Sequence, residues 1–141
     1  MSSFKAFDIA GSGMAAQSVR LNTTASNLAN ADSVSGTAAN VYKPRHPIFE
    51  AVRAQLAAQG ASESQPAVRV RGIYESTAAP SQRFEPGNPL ADTNGYVYAP
   101  AVNVVEEMVN MISASRSYQN NVEVMNTSKD LLLATLRLGQ G

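Results

Sequence analysis

Few side chains in this sequence could do chemistry, and their spacing decides what they are worth. His46, the one histidine, stands in Lys43-Pro44-Arg45-His46-Pro47, with no cysteine in the chain and no acidic residue at a metal-ligating interval. A histidine flanked by prolines reads as an exposed loop residue, not as a general base or a ligand. Gly11-Ser12-Gly13 has the glycines of a phosphate loop, but no strand precedes it and no Lys-Ser or Lys-Thr follows. Glu106 and Glu107 are neighbouring carboxylates, yet adjacent residues on a helix point about 100° apart, so they read as a solvated face and not as a cooperating acid-base pair. Met108, Met111 and Met125 could offer a soft metal or an adaptable binding surface, but their helical spacing reads as packing. The expectation is no catalytic, cofactor-binding or metal site, and no cofactor.

Composition narrows the class further. The 141 residues carry 11 basic and 11 acidic side chains, which gives no electrostatic footprint for a nucleic acid or an anionic membrane surface. The longest apolar run is a few residues, too short to span a bilayer. Of the 44% hydrophobic residues 22 are alanine, while Leu, Ile, Val and Phe together number 30. With so few large apolar side chains to offset the ordering entropy, the chain is expected to need partners to complete its burial. Met1 to Lys5 supplies a single lysine and no apolar core segment follows it, so export by a cleaved signal peptide is not expected.

All seven prolines lie between Pro44 and Pro100, which leaves two proline-free ends around a non-helical centre. At the first end Phe7, Met14, Leu21 and Leu28 recur every seven residues, with Phe4, Gly11, Ser18 and Ala25 as a mostly small companion row; the turn formers after Asn30 end this helix. Gly11 and Gly13 each cost it roughly 1 kcal/mol against alanine. The second end runs from about Val102 to Leu138 without Gly or Pro. Steps of four and three give Val104, Met108, Met111, Ser115, Tyr118, Val122, Met125, Lys129, Leu132 and Leu136, eight of them apolar, with Asn110, Arg116, Asn120, Glu123, Asn126 and Asp130 on the opposite face. Such a helix would be about 50 Å long, so its seam must meet another long helix. In the centre, Val68 to Tyr74 alternates like a half-buried strand with its arginines on the wet face. Asn94-Gly95 before Tyr96-Val97-Tyr98 signals a hairpin. Pro86-Gly87-Asn88-Pro89 forces a turn, and Ala57 to Pro66 reads as a mobile loop.

The fold expected is mainly α with a small β unit. Residues 1–32 and 101–141 would pair as a coiled coil in one axial helical domain, with 33–100 as a central β-hairpin and loop region. The candidate assembly interface is Phe7, Met14, Leu21, Leu28, Val104, Met108, Met111, Tyr118, Val122, Met125, Leu132 and Leu136.

Thr24-Ala25-Ser26-Asn27-Leu28-Ala29-Asn30 resembles the signature of bacterial flagellar rod and hook proteins, in which Ser26, Asn27, Leu28, Ala29 and Asn30 are the matching positions. Asp92-Thr93-Asn94-Gly95-Tyr96-Val97, followed by Pro100, Val102 and Asn103, is similar to the turn and strand before that family's terminal helix. Val104 through Leu138 resembles the helix itself. Nine residues, Asp32 to Asn40, intervene before Tyr42-Lys43-Pro44-Arg45, and this insertion with the short length resembles the proximal-rod type of subunit. The resemblance covers residues 1–32 and 84–138; nothing carries over to 51–82. It implies a non-enzymatic structural subunit of the flagellar basal-body rod. Such a subunit would stack helically with copies of itself and other rod subunits, transmit torque across the periplasm, and leave the cell through the flagellar type III export apparatus without a cleaved signal. The rival readings are a coiled-coil adaptor or needle-like component of a type III secretion system and, less well supported, a small enzyme. Neither nucleic-acid binding nor a membrane span is expected.

Overall fold

A computed structural model of the chain describes residues 2–54 and 65–139. In order, helix α1 covers Ser2–Ala29, a single 3-10 turn Ala38–Asn40, strand β1 Arg45–Ala54, β2 Gln65–Glu75, β3 Ser81–Phe84, β4 Tyr96–Ala99 and helix α2 Val104–Leu138. Mainly helical content with a small amount of β structure agrees with the sequence pattern. Among the described residues no helix is long and apolar enough to cross a membrane.

Local chemistry sets the helix ends. The last turn of α1 is closed by Asn30, whose backbone N–H and side-chain Nδ2 both donate to the Ser26 carbonyl, at 3.2 and 2.8 Å. At the start of α2, Asn103 Oδ1 accepts the Glu106 N–H at 3.3 Å, while Glu106 and Glu107 place negative charge on the first turn, where the helix dipole favours it. Arg137 sits on the last turn with the opposite sign. With 35 residues, α2 is about 52 Å long.

Packing divides the chain into two compact units, and each takes a share of both helices. One comprises 1–19, 48–72 and 113–141; the other comprises 20–47 and 73–112. In the first, Gly11 faces the Met125 methyl and Gly13 faces the Asn121 carboxamide, so the α1 and α2 segments lie side by side and antiparallel. In the second, Arg20 donates to Asn110 Oδ1 at 3.0 Å.

The heptad seams expected from sequence are not the rows that sink deepest. On α2 the buried positions are Glu107, Ala114 and Ser128, each one residue before a member of the expected seam, Met108, Ser115 and Lys129. On α1 they are Ala10, Ala16, Thr23, Thr24 and Asn27. The buried positions of both helices are small or polar, and the half-buried Met125 of the expected seam meets Gly11 beside them. Glu107, expected on a solvated face, is 5% exposed, whereas Glu106 is exposed.

The β structure forms two ribbons of two strands each, β1 with β2 and β3 with β4. In β1–β2, the Ser76 N–H donates to the Pro44 carbonyl and Arg45 pairs with Glu75, which runs the strands antiparallel. Arg69 and Arg71 are exposed as alternation predicted, but so are Val68, Ile73 and Tyr74, so the half-buried face is a correction: a lone ribbon does not hide one side. His46 is likewise not a loop residue. It lies on β1 with its ring 5.4 Å from that of Tyr74. Of the expected mobile loop, 57–64 lies outside the described residues, and Gln65 and Pro66 belong to β2.

Candidate assembly site

The signature segment at the end of α1 forms a clamp on the chain that follows it. Asn27 is fully buried, a position that would be costly for an amide with open valences. Its Nδ2 donates to the Arg45 carbonyl at 2.8 Å, and its Oδ1 accepts the Arg45 N–H at 2.9 Å and the Tyr42 hydroxyl at 2.8 Å. One side chain thus holds both backbone groups of Arg45, as a neighbouring strand would. Ser26 Oγ lies 3.2 Å from the same Tyr42 hydroxyl, and Ser33 Oγ donates to the Asn30 carbonyl at 2.7 Å. Leu28 is half-buried and Ala29 exposed. Three polar members of the signature therefore fix the chain around them: Asn27 fastens the Arg45 backbone and the Tyr42 hydroxyl, Ser26 supports that hydroxyl, and Asn30 ends the helix.

The second signature builds a turn beside β4. Asp92 Oδ1 accepts the N–H groups of Asn94 and Tyr96 at 2.8 and 2.9 Å. The Asp92 carbonyl accepts the Gly95 N–H, and the Asp92 N–H donates to the Tyr96 carbonyl. Gly95 has φ +82°, and a Cβ there would stand 2.9 Å from the Phe84 ring and 3.2 Å from Pro86 Cβ. Glycine is required at this position on both counts. The three-residue loop 93–95 ends on a left-handed glycine, as such hairpin loops do. The strand paired with β4 is not immediately upstream: β3 meets it in the register Phe84↔Tyr96 to Ser81↔Ala99, with 85–95 between. Within that connection, the 85–88 and 88–91 turns confirm the break at Pro86–Pro89. The Glu85 carboxyl is held below the usual carboxylate range, first by the hydrogen bond from Asn88 and then by Arg83. On the other edge of β4, Ser35 and Tyr98 exchange both backbone hydrogen bonds at 2.9 Å. The nine-residue insertion is thereby tied into the β unit, around a fully buried Val97.

Of the candidate interface residues, Phe7, Met14, Leu21, Leu28, Met111, Val122, Met125 and Leu132 are half-buried, and Val104, Met108, Tyr118 and Leu136 are exposed. A second apolar row on α2 lies outside the candidate seam, whose one residue beside it is Met108. Val105, Val109 and Ile112, at spacings of four and three, are 70, 61 and 55% exposed, with Met108 beside them. Further along α2, Val124 and Ser128 line a shallow groove with Asn120, Glu123 and Thr127. Elsewhere the chemical candidates have structural partners: Ser12 Oγ donates to the Ile9 carbonyl and accepts the Val68 N–H at 3.2 Å, tying β2 to α1. Among the described residues, no three of His, Asp and Glu gather to hold a metal.

Two family descriptions match the chain: "Flagella basal body rod protein" over 7–36 and "Flagellar basal body rod FlgEFG protein C-terminal" over 93–138. They cover the clamp-bearing helix and the turn with the terminal helix. Whole-chain relatives agree. The flagellar basal-body rod protein FlgC of Salmonella typhimurium is 54% identical over 95% of this chain and 96% of its own length. FlgC of Yersinia enterocolitica is 54% identical over 99% and 100%, and that of Buchnera aphidicola from Baizongia pistaciae is 33% identical over 99% and 100%. These matches do not favour a secretion-needle or adaptor protein. The chain belongs to the FlgC family of flagellar basal-body rod proteins, structural subunits of the rod.

Proposed function

We propose that this subunit joins copies of itself and other rod subunits in a helical stack through its terminal helices, and so carries torque across the periplasm. The observation that carries this reading is the exposed apolar row Val105, Met108, Val109 and Ile112 on α2. Four large apolar side chains on one face cost solubility unless another surface covers them. A contact between different faces of successive subunits has no closed end and builds a filament. The inward faces of both helices are small and polar, so the bulky residues Val104, Met108 and Leu136 stay available to neighbours. The terminal helices thus serve as the axial domain, with the β ribbons setting spacing. Export through the flagellar type III apparatus rests on family membership.

The test is complementation of a strain lacking this subunit. Met108→Asp or Ile112→Asp should abolish motility with the protein present at parental levels outside the cytoplasm, because a charge there would have to be desolvated without a partner. Arg116→Ala, exposed on the same helix, should swim. Motile cells carrying Ile112→Asp would overturn this interface.

A further inference from the structure

Among the eleven asparagines of the sequence, Asn94 alone is followed by glycine, and the structure puts that step at the exposed tip of the Asp92–Tyr96 turn. The Asn94 carboxamide makes no hydrogen bond among the described residues, and Gly95 has no Cβ to screen its nitrogen. We propose that Asn94 is a deamidation site of this protein and that Asp92 holds it shut while the turn is folded. The Gly95 nitrogen, its proton taken by hydroxide, attacks Asn94 Cγ. A new N–Cγ bond closes a five-membered succinimide, the Cγ–Nδ2 bond breaks, and the nitrogen leaves as ammonia with a proton drawn from water. Addition of water across either ring carbonyl then yields aspartate or isoaspartate, the latter with one extra methylene in the main chain.

The folded turn opposes the first step at three points. The Gly95 N–H is engaged by the Asp92 carbonyl at 2.9 Å, so the nucleophile is directed away from Cγ. Asp92 Oδ1 holds the N–H groups on either side, those of Asn94 and Tyr96. Gly95 itself is backed by the Phe84 ring and Pro86, which block the backbone swing that would bring its nitrogen to Asn94. Once formed, isoaspartate would lengthen the loop and separate Asp92 from Tyr96, beside the buried Val97. A chain that loses this turn before assembly is therefore marked irreversibly.

The experiment follows the one-dalton mass gain at Asn94 by peptide mapping of the full-length protein in warm, mildly alkaline buffer, with isoaspartate detected separately. The urea-unfolded parent should deamidate at Asn94 at least about tenfold faster than the folded parent, the factor expected from one or two closed hydrogen bonds. Folded Asp92→Ala, which loses the Oδ1 contacts but keeps the main-chain bond to Gly95, should deamidate at least about threefold faster than the folded parent, whereas Asp92→Asn, which keeps an acceptor oxygen, should stay within about twofold of the parent. Circular dichroism shows whether Asp92→Ala is folded, and the folded-against-urea comparison decides independently of it. Equal rates for folded and unfolded parent, or Asp92→Asn as fast as Asp92→Ala, would overturn the proposal.

Discussion

The two compact units hold themselves together by different means. In 20–47 with 73–112, polar groups hold specific partners: the buried Asn27 side chain on Arg45 and Tyr42, the half-buried Asp92 carboxylate on the amides of its turn, and the Ser35 backbone on that of Tyr98. In 1–19 with 48–72 and 113–141, contact depends on smallness. Ala10, Ala16 and Ala114 are buried, Gly13 admits Asn121, and Gln17 Oε1 is buried without a hydrogen-bond partner among the described residues. A complete polar network admits one geometry and penalises every other, whereas small residues permit close approach without dictating register. The unit of 20–47 and 73–112 should therefore break sharply at single residues, and the unit of 1–19, 48–72 and 113–141 should yield gradually.

Asn27→Ala should have the largest effect. It leaves the Arg45 N–H and carbonyl without their buried partner and removes one from Tyr42, at about 1–3 kcal/mol per orphaned group, so a loss of about 3 kcal/mol or more is expected in urea unfolding. Gly95→Ala should follow at about 2 kcal/mol, since alanine is strained at positive φ and its Cβ meets Phe84. In the other unit, Gly13→Ala should be nearly neutral, as the gain of about 1 kcal/mol in helix propensity is offset by pressure on Asn121, 2.8 Å from the new Cβ. In an Asn121→Ala background the same change should stabilise by about 1 kcal/mol, a non-additivity that a double-mutant cycle reads directly. The exposed Arg69–Glu50 pair should matter least, with Glu50→Ala costing under about 0.5 kcal/mol. A pH arm sharpens the contrast. Because the folded Glu85 carboxyl binds its proton less readily than the unfolded one, its contribution is present at neutral pH and fades as pH falls through the lowered folded value. Protection of the Asn88 amide against exchange, relative to its intrinsic rate at each pH, should fall there, and Glu85→Gln should remove that dependence.

The helices were legible because proline is absent from both ends and Asn103, Glu106 and Asn30 mark the termini. The Asn94-Gly95 turn was legible for an equally local reason. β1 was not, since Arg45-His46-Pro47-Ile48-Phe49 lacks alternation and its partner is β2, thirty positions on from Arg45 to Glu75. β3 was missed because Ser81–Phe84 is exposed at every residue and has no pattern to read. The inward helix faces were misjudged for a physical reason: apolar periodicity finds the stripe that needs covering, whoever covers it, while Ala114, Asn121 and Ser128 carry no hydropathy signal. Asn27 could be quoted as part of a signature, but its work on Arg45 is a long-range contact that spacing does not announce.

The outward row of α2, Val105, Met108, Val109 and Ile112, faces solvent and should not be needed by the fold of the subunit. Urea unfolding of purified Ile112→Asp measures this directly. Its midpoint and slope should match the parent's, within about 0.5 kcal/mol, as for a surface position. A loss of 2 kcal/mol or more, comparable to that of Asn27→Ala, would show that Ile112 supports the subunit's own core and would contradict the account.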